Sequence, residues 1–135
     1  MIAGCGTDIV AVERLERWCE FTDERLYRVF TPDELAAIRA SGVWCVQRAA
    51  AYFALKEAFY KALSNALVET GNLECAVWFT SVCPLVSVSK NEWGIPELLV
   101  DWAKISKLAG FDCSWKIHCS YAHEKQFAVA YVILI

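Results

Sequence analysis

The chain has 135 residues and a net charge of -3, and 57% of its residues are hydrophobic. This length predicts one domain, over residues 1–135, with room for a substantial core. The acidic balance argues against nucleic-acid binding, which usually requires a basic surface, and no apolar stretch approaches the roughly 20 residues of a membrane-spanning helix. We expect part of the apolar surplus to lie in a contact between subunits.

The first residues and the cysteines indicate the compartment. The opening "MIAGCGTDIV" lacks the basic head of a signal peptide and reaches Asp8 early. The seven cysteines form no C-x-x-C pair, which argues against a zinc site or a redox motif. Without a secretory signal they are expected to be reduced and buried, so we expect a cytoplasmic protein that binds no membrane.

Three elements are predicted in the first part of the chain. Residues 4–12, "GCGTDIVAV", alternate like a short strand, and their glycines allow unusual backbone angles or the close approach of another segment. Residues 13–21 are predicted to form a short helix. A second helix is predicted after Thr31, an N-cap residue whose capping box is completed by Glu34, and it runs to about Ala40.

The longest predicted helix runs from about Gln47 to Leu67. Its apolar residues recur at helical spacing and form one stripe. Glu57 and Lys61 lie together on another face, where they form either an ordinary surface ion pair or part of a functional site. Lys56, at the edge of the apolar stripe, is expected to pack its stem and to expose its charged end.

The second half of the chain changes to a period of two, which is typical of strands. Strands are predicted at residues 76–82, 84–89, 97–100, 114–121 and 126–135, and a short helix at 101–110. Because helices precede an antiparallel sheet in this order, the sequence predicts an α+β fold with the long central helix packed across the sheet.

Four polar side chains are of types that phosphate chemistry uses: Asp8, Glu57, Lys61 and His123. Magnesium commonly binds one or two protein carboxylates and completes its shell with water and phosphate oxygens. Two carboxylates about 5 Å apart repel by roughly 3 kcal/mol at an effective dielectric constant of about 20, so such a pair favours a cation. Structural alternatives exist: Asp8 can cap a turn, and His123 can face solvent in the turn between the last two strands.

Five blocks of the sequence resemble the 4′-phosphopantetheinyl transferases, and among them the small holo-acyl-carrier-protein synthases. They follow the family's order over nearly the whole chain and read "GCGTDIV", "FTPDEL", "FALKEAFYKAL", "NEWGIP" and "CSYAHEKQFAVAYVIL". The resemblance implies transfer of the phosphopantetheine arm of coenzyme A to a serine of an acyl carrier protein, in fatty-acid biosynthesis or in polyketide or peptide assembly. It also implies a homotrimer with active sites between subunits.

The resemblance implies a role for each of the polar residues. Asp8 and Glu57 match residues that bind magnesium, or manganese, on the pyrophosphate of coenzyme A. Glu57 alternatively matches the base that deprotonates the carrier serine. Lys61 matches a lysine that contacts phosphate, and His123 matches a histidine that orients the nucleotide phosphates.

Some positions depart from the family pattern around coenzyme A. Tyr52 stands where family members usually carry an arginine, and Arg48, one helical turn earlier, is expected to replace that contact. Ala122 and Glu124 stand where residues with hydroxyl groups are common. The Glu124 carboxylate would repel a 3′-phosphate, and Lys125 is the nearby cation that would offset this repulsion.

Basic residues near the first predicted helix match the surface on which the family binds its acidic carrier protein. Arg14 and Arg17 lie three residues apart on one face of that helix, and Arg25 and Arg28 follow further along the chain. Two glutamates interleaved with the first pair dilute this patch. The structural alternative for all four arginines is ordinary solvated surface.

Two other functions remain as alternatives from the sequence. The departures from the family pattern also fit a catalytically impaired relative that only binds carrier protein or coenzyme A. A thioesterase or dehydratase with a hot-dog fold also lays a long helix over an antiparallel sheet. That enzyme would act on a thioester without magnesium, and it would not need Asp8 close to Glu57.

Overall fold

The computed structural model describes residues 1–71 and 77–135. The described residues form five strands, namely β1 (Gly4–Ala11), β2 (Val86–Lys90), β3 (Pro96–Val100), β4 (Ile117–His123) and β5 (Phe127–Leu134). They also form five α-helices, namely α1 (Asp23–Leu26), α2 (Pro32–Ile38), α3 (Val46–Glu69), α4 (Phe79–Val82) and α5 (Trp102–Ala109). Two 3₁₀ helices span Val12–Glu20 and Cys83–Leu85. None of these helices is long and apolar enough to cross a membrane.

The long helix α3 packs on a three-stranded antiparallel sheet. The strand order in this sheet is β1-β5-β4, and β2 pairs with β3 in a separate antiparallel ribbon. Alternate residues of β5 are buried beneath α3, and the opposite residues of that strand are mostly exposed. This arrangement confirms the predicted α+β fold, with the difference that the strands divide into two sheets instead of one.

Two glycines allow β1 to lie directly against the backbone of α3. A Cβ atom at Gly6 would lie 2.0 Å from the carbonyl oxygen of Ala58, and one at Gly4 would lie 2.2 Å from that of Ala62. Only glycine fits at such distances, because a real side chain would overlap the helix. Side chains of a strand alternate between faces, so Asp8 follows Gly4 and Gly6 on the face that contacts α3.

The predicted capping box at the start of α2 is confirmed, and its glutamate has a second role. The Thr31 amide donates to the Glu34 carboxylate over 2.7 Å, and the Glu34 amide donates to the Thr31 hydroxyl over 3.3 Å. The same carboxylate forms a 2.5 Å ion pair with Lys56 and accepts a 2.8 Å hydrogen bond from the Val88 amide. One buried side chain therefore joins α2, α3 and β2.

The prediction that the Lys56 ammonium is exposed is wrong. Lys56 is 1% exposed, and its ammonium also donates to the carbonyl oxygens of Val29 and Cys83. Burial lowers the pKa of Lys56, and the adjacent Glu34 charge opposes that shift. The helix period placed Lys56 at the edge of the apolar stripe, but it did not reveal the carboxylate that meets it there.

The strand predicted over residues 76–82 is also wrong within its described part. Phe79–Val82 forms the short helix α4, and the rings of Phe53 and Tyr60 pack edge-on against Phe79. Residue 76 lies outside the described residues. The next predicted strand begins later than expected, at Val86, because residues Cys83–Leu85 form a 3₁₀ turn that contains Pro84.

Candidate active site

A row of polar side chains on α3 covers the open edge of β1. Within the described residues, β1 pairs on one side only, with β5. On its other side, the Cys5 amide donates to the Asn65 side chain over 3.2 Å, and the Lys61 ammonium donates to the Thr7 carbonyl oxygen over 3.0 Å. Glu57, Lys61 and Asn65 lie four residues apart and therefore share one face of the helix. Covering an edge strand in this way also blocks pairing with another chain.

This row brings three of the predicted site residues together. The Lys61 ammonium lies 2.9 Å from the Asp8 carboxylate. The Asp8 charge also acts on Glu57, one helical turn before Lys61 on α3. The Asp8 side chain is 16% exposed and the Lys61 side chain 48%, so the group lies at the surface with its carboxylate partly shielded.

The electrostatic balance at Glu57 indicates a shortage of positive charge. Partial burial raises the pKa of Glu57, and the Asp8 charge raises it further. The charges of Lys61 and Arg14 act in the opposite direction but do not cancel these effects. Ionised Glu57 is therefore destabilised in the protein, and a further cation between the carboxylates would relieve this repulsion.

The donor set at this position fits magnesium. Two carboxylates on a partly exposed surface match the one or two protein ligands that magnesium commonly takes. In the described ranges, no group of three or more histidine, cysteine or acidic side chains is arranged to hold a metal. The residues therefore suit an ion that relies on water and substrate oxygens for the rest of its shell, and they do not suit a fully protein-ligated metal.

His123 is not brought to this carboxylate pair within one chain. It ends β4, where it pairs with Ala128, and β4 lies two strands from β1, roughly 10 Å across the sheet. It is exposed and borders a hollow lined by Ile9, Phe127 and Val129 of the opposite sheet face, but its pairing with the buried Ala128 puts its own side chain on the α3 side of the sheet. The prediction that it lies in the turn is wrong, because β4 extends two residues further than expected and ends at His123.

The other two predicted contacts for coenzyme A also lie apart from the carboxylates. Arg48 is in the first turn of α3, about 13 Å along the helix axis from Glu57, and its guanidinium donates to the Ala37 carbonyl oxygen. Burial raises the pKa of Tyr52, and the Arg48 charge offsets part of this increase. Lys125 is exposed after β4 and lines a separate hollow with Glu13 and other residues of the first 3₁₀ helix.

The first 3₁₀ helix places Arg14 and Arg17 above one another. With three residues per turn, residues three apart lie directly above one another. Val12, Leu15 and Trp18 therefore form the inward stripe. Arg14 and Arg17 form an exposed stripe that ends at Glu20, and the two glutamates that were expected to dilute it, Glu13 and Glu16, lie on a third stripe.

Arg14 is the residue of this basic stripe whose charge acts on a carboxylate of the candidate active site. Its guanidinium is 5.7 Å from the centre of the Phe53 ring, and its charge acts on Glu57. Of the two arginines further along the chain, Arg25 stacks at 3.6 Å on the Phe21 ring and Arg28 is exposed. The sequence predicted the basic stripe, but it did not indicate that one end of it reaches the candidate active site.

Asn65 is the residue of this site that sequence reasoning missed. Its hydrogen bond to Cys5 holds β1 three residues before Asp8. The spacing of four residues from Lys61 was the available signal. This spacing indicates a site residue only because the edge of β1 lies beside α3.

The comparisons with known proteins identify the family. The family model of the 4′-phosphopantetheinyl transferase superfamily matches residues 4–132. The chain belongs to this superfamily. A holo-acyl-carrier-protein synthase of Thermodesulfovibrio yellowstonii is 37% identical over 136 residues, which are 99% of this chain and 99% of that protein.

Solved structures of this superfamily share the fold. A holo-acyl-carrier-protein synthase of Neisseria meningitidis has a TM-score of 0.74 and 28% identity, and the match covers 100% of this chain and 99% of that one. The synthase of Bacillus anthracis, solved in complex with CoA (3′,5′-ADP), has a TM-score of 0.69 and 26% identity over 99% of this chain and 96% of that one. These matches confirm the phosphopantetheinyl transferase fold and remove the hot-dog alternative.

Proposed function

We propose that this phosphopantetheinyl transferase moves 4′-phosphopantetheine from coenzyme A to a serine of an apo acyl carrier protein. The products are the holo carrier protein and adenosine 3′,5′-bisphosphate. The observation that carries this proposal is the convergence of Asp8, Glu57 and Lys61 at the contact of β1 with α3. The full-length similarity to holo-acyl-carrier-protein synthases supports the same reaction.

The reaction breaks the phosphoanhydride bond of coenzyme A and forms a phosphate ester with serine. The serine oxygen forms a bond to the phosphorus that carries pantetheine, the bridging oxygen of the pyrophosphate leaves with the nucleotide, and the serine proton passes to a base. Phosphoryl transfer of this kind depends mainly on positioning and on charge stabilisation. Bound magnesium would neutralise the pyrophosphate and orient it for in-line attack.

The residues of the candidate site have distinct tasks in this reaction. Asp8 and Glu57 hold magnesium, and the Lys61 ammonium contacts a phosphate oxygen. Glu57 alternatively accepts the serine proton, a role that its raised pKa favours because the carboxylate binds a proton more readily than an ordinary glutamate. Manganese satisfies the same oxygen ligands and is expected to replace magnesium in the assay.

The basic stripe of the first 3₁₀ helix is the proposed docking surface for the carrier protein. Arg14 and Arg17 share one exposed face, and Arg14 also lies beside Glu57. An acidic carrier on this stripe would present its serine close to the carboxylates. Electrostatic complementarity of this kind mainly raises the rate of association.

We also propose a homotrimer in which neighbouring subunits share each active site. The sheet face opposite α3 carries exposed apolar residues on β1 and β5, and Ile9 is 64%, Phe127 44%, Val129 44% and Tyr131 47% exposed. A second copy of the chain would bury this surface. Because His123 lies at its margin, a neighbouring subunit can bring His123 to coenzyme A held at the carboxylates. Lys125, two residues further along the chain, would accompany it, and Arg48 stays a proposed contact of coenzyme A.

The transfer itself is tested by mass spectrometry of apo carrier proteins incubated with coenzyme A and magnesium. The expected result is a mass gain of one phosphopantetheine group on the serine, with carriers from fatty-acid, polyketide and peptide synthesis compared in parallel. Binding of coenzyme A or of carrier without a mass gain on any of them would favour the impaired relative. The same assay in a cytoplasmic extract identifies the carrier that the protein serves.

The proposed trimer is tested by light scattering of the purified protein and of Val129→Asp. We expect three subunits for the unsubstituted protein. We expect dissociation with loss of transfer for the variant, because a carboxylate would enter an apolar contact. A monomer with full activity would contradict the shared active site.

A further inference from the structure

Lys61 and Asp8 form an ion pair with each other in the structure, whereas the proposed function assigns them to different ligands. In the transfer reaction, Asp8 binds the metal and Lys61 contacts phosphate. In the structure, the Lys61 ammonium lies 2.9 Å from Asp8 Oδ1 and donates to the Thr7 carbonyl oxygen over 3.0 Å. The ammonium therefore occupies one of the two oxygens of the carboxylate that the proposed metal would bind.

We infer that Lys61 is the resident cation of the site, and that it leaves Asp8 for a phosphate group when metal and coenzyme A bind. This inference rests on the proposed function. It follows from charge, because an ammonium and a divalent cation at the same carboxylate repel each other. It also follows from exposure, because the Lys61 side chain is 48% exposed and can move without opening the core.

The exchange makes the binding of metal and of coenzyme A mutually dependent. Without coenzyme A, the metal has to displace Lys61 from Asp8. With coenzyme A, the pyrophosphate attracts Lys61, and Asp8 becomes available. Each ligand then raises the affinity for the other by the same factor, as linkage requires. A site without coenzyme A would bind metal weakly. Binding of metal together with coenzyme A is therefore favoured over binding of metal alone.

The test measures Mn²⁺ binding by electron paramagnetic resonance in the absence of carrier protein, so that no turnover occurs. Lys61→Met is expected to bind Mn²⁺ about two- to fivefold more tightly than the unsubstituted protein without coenzyme A, which is the range for a partly exposed ion pair. With saturating coenzyme A, the variant is expected to bind Mn²⁺ no more tightly than the unsubstituted protein. Its affinity for coenzyme A falls, because a phosphate contact is lost.

A matched control is available on α5, where Lys104 forms a 3.0 Å ion pair with Asp101. Lys104→Met is expected to leave Mn²⁺ affinity unchanged in both states. Unchanged or weaker binding by Lys61→Met without coenzyme A would overturn the inference. So would equal tightening in both states, since a lysine that never moves would act in this way.

The inference and the proposed function can fail separately. Transfer by the unsubstituted protein together with an unaltered Mn²⁺ affinity in Lys61→Met would overturn the inference alone. The expected Mn²⁺ shifts in a protein that transfers nothing would overturn the proposed transfer and support the cation exchange. Absence of any Mn²⁺ binding by the unsubstituted protein would overturn the metal site and the inference together.

Discussion

The contact between β1 and α3 makes Gly6→Ala the most informative single change in the fold. The new Cβ would lie 2.0 Å from the Ala58 carbonyl oxygen, and real Cβ atoms essentially never come within 3.0 Å of a neighbour. The strand and the helix must therefore separate by about 1 Å. The contact joins a Cβ atom to a backbone carbonyl oxygen, and the backbone fixes the position of both. No side-chain rotation can therefore relieve the overlap.

The expected effects on stability and on activity follow from that displacement. Overpacking of a core contact costs about 1–3 kcal/mol. For a domain of 135 residues, 1 kcal/mol corresponds to about 3–4 °C in Tm, so we expect a fall of about 3–12 °C. A shift of about 1 Å between Asp8 and Glu57 is expected to lower the transfer rate by about 100-fold.

Thermal unfolding and the mass-gain assay measure these two effects on the same sample. Gly42→Ala is a matched control, since nothing lies within 4 Å of its Cβ position and the substitution costs only the strain of a φ angle of 78°. That control is expected to lose stability by about 1–2 kcal/mol and to keep its transfer rate. A Gly6→Ala protein with the original Tm and transfer rate would refute the account of this contact.

Three further predictions concern charge. Glu57→Gln is expected to raise the Tm at pH 7 without divalent cations. The pKa of Glu57 is raised in the folded protein, so its ionisation lowers stability as the pH rises from 4.5 through the folded-state pKa. A gain in Tm that persists undiminished well below pH 4.5 would contradict this prediction. Lys56→Met is expected to cost about 3–5 kcal/mol and roughly 9–20 °C in Tm, since it leaves the Glu34 carboxylate buried without its cation. Adding Glu34→Gln is expected to recover part of that loss. Arg17→Glu is expected to raise KM for the carrier protein several-fold at low salt, while kcat and Tm stay unchanged. A KM that does not respond to this charge reversal would contradict the proposed docking surface.

The elements that the sequence predicted well are those that local pattern determines. The long helical stripe predicted α3 to within two residues at each end, and the capping box predicted the start of α2. The glycines of β1 were expected to allow either unusual angles or close approach. The structure shows close approach, and neither Gly4 nor Gly6 has a positive φ angle.

The features that the sequence did not predict depend on partners distant in the chain. Lys56 is buried because the folded chain brings Glu34 opposite to it, and helical periodicity contains no information about such a partner. Residues 79–82 form a helix although their apolar pattern suggested a strand, because so short a run is compatible with both. The distance between His123 and Asp8 depends on strand order, which periodicity alone does not specify.

Asp8 tests the central claim most directly, because its removal takes one of the two carboxylates from the site. The measurement is the rate of phosphopantetheine transfer to an apo carrier protein by Asp8→Ala, compared with Asp23→Ala, which removes a surface carboxylate paired with Arg39. Asp8→Ala is expected to show no detectable transfer while it retains a cooperative thermal transition, and Asp23→Ala is expected to transfer at a nearly normal rate. Full transfer by Asp8→Ala would contradict the claim that Asp8 and Glu57 act together on the pyrophosphate.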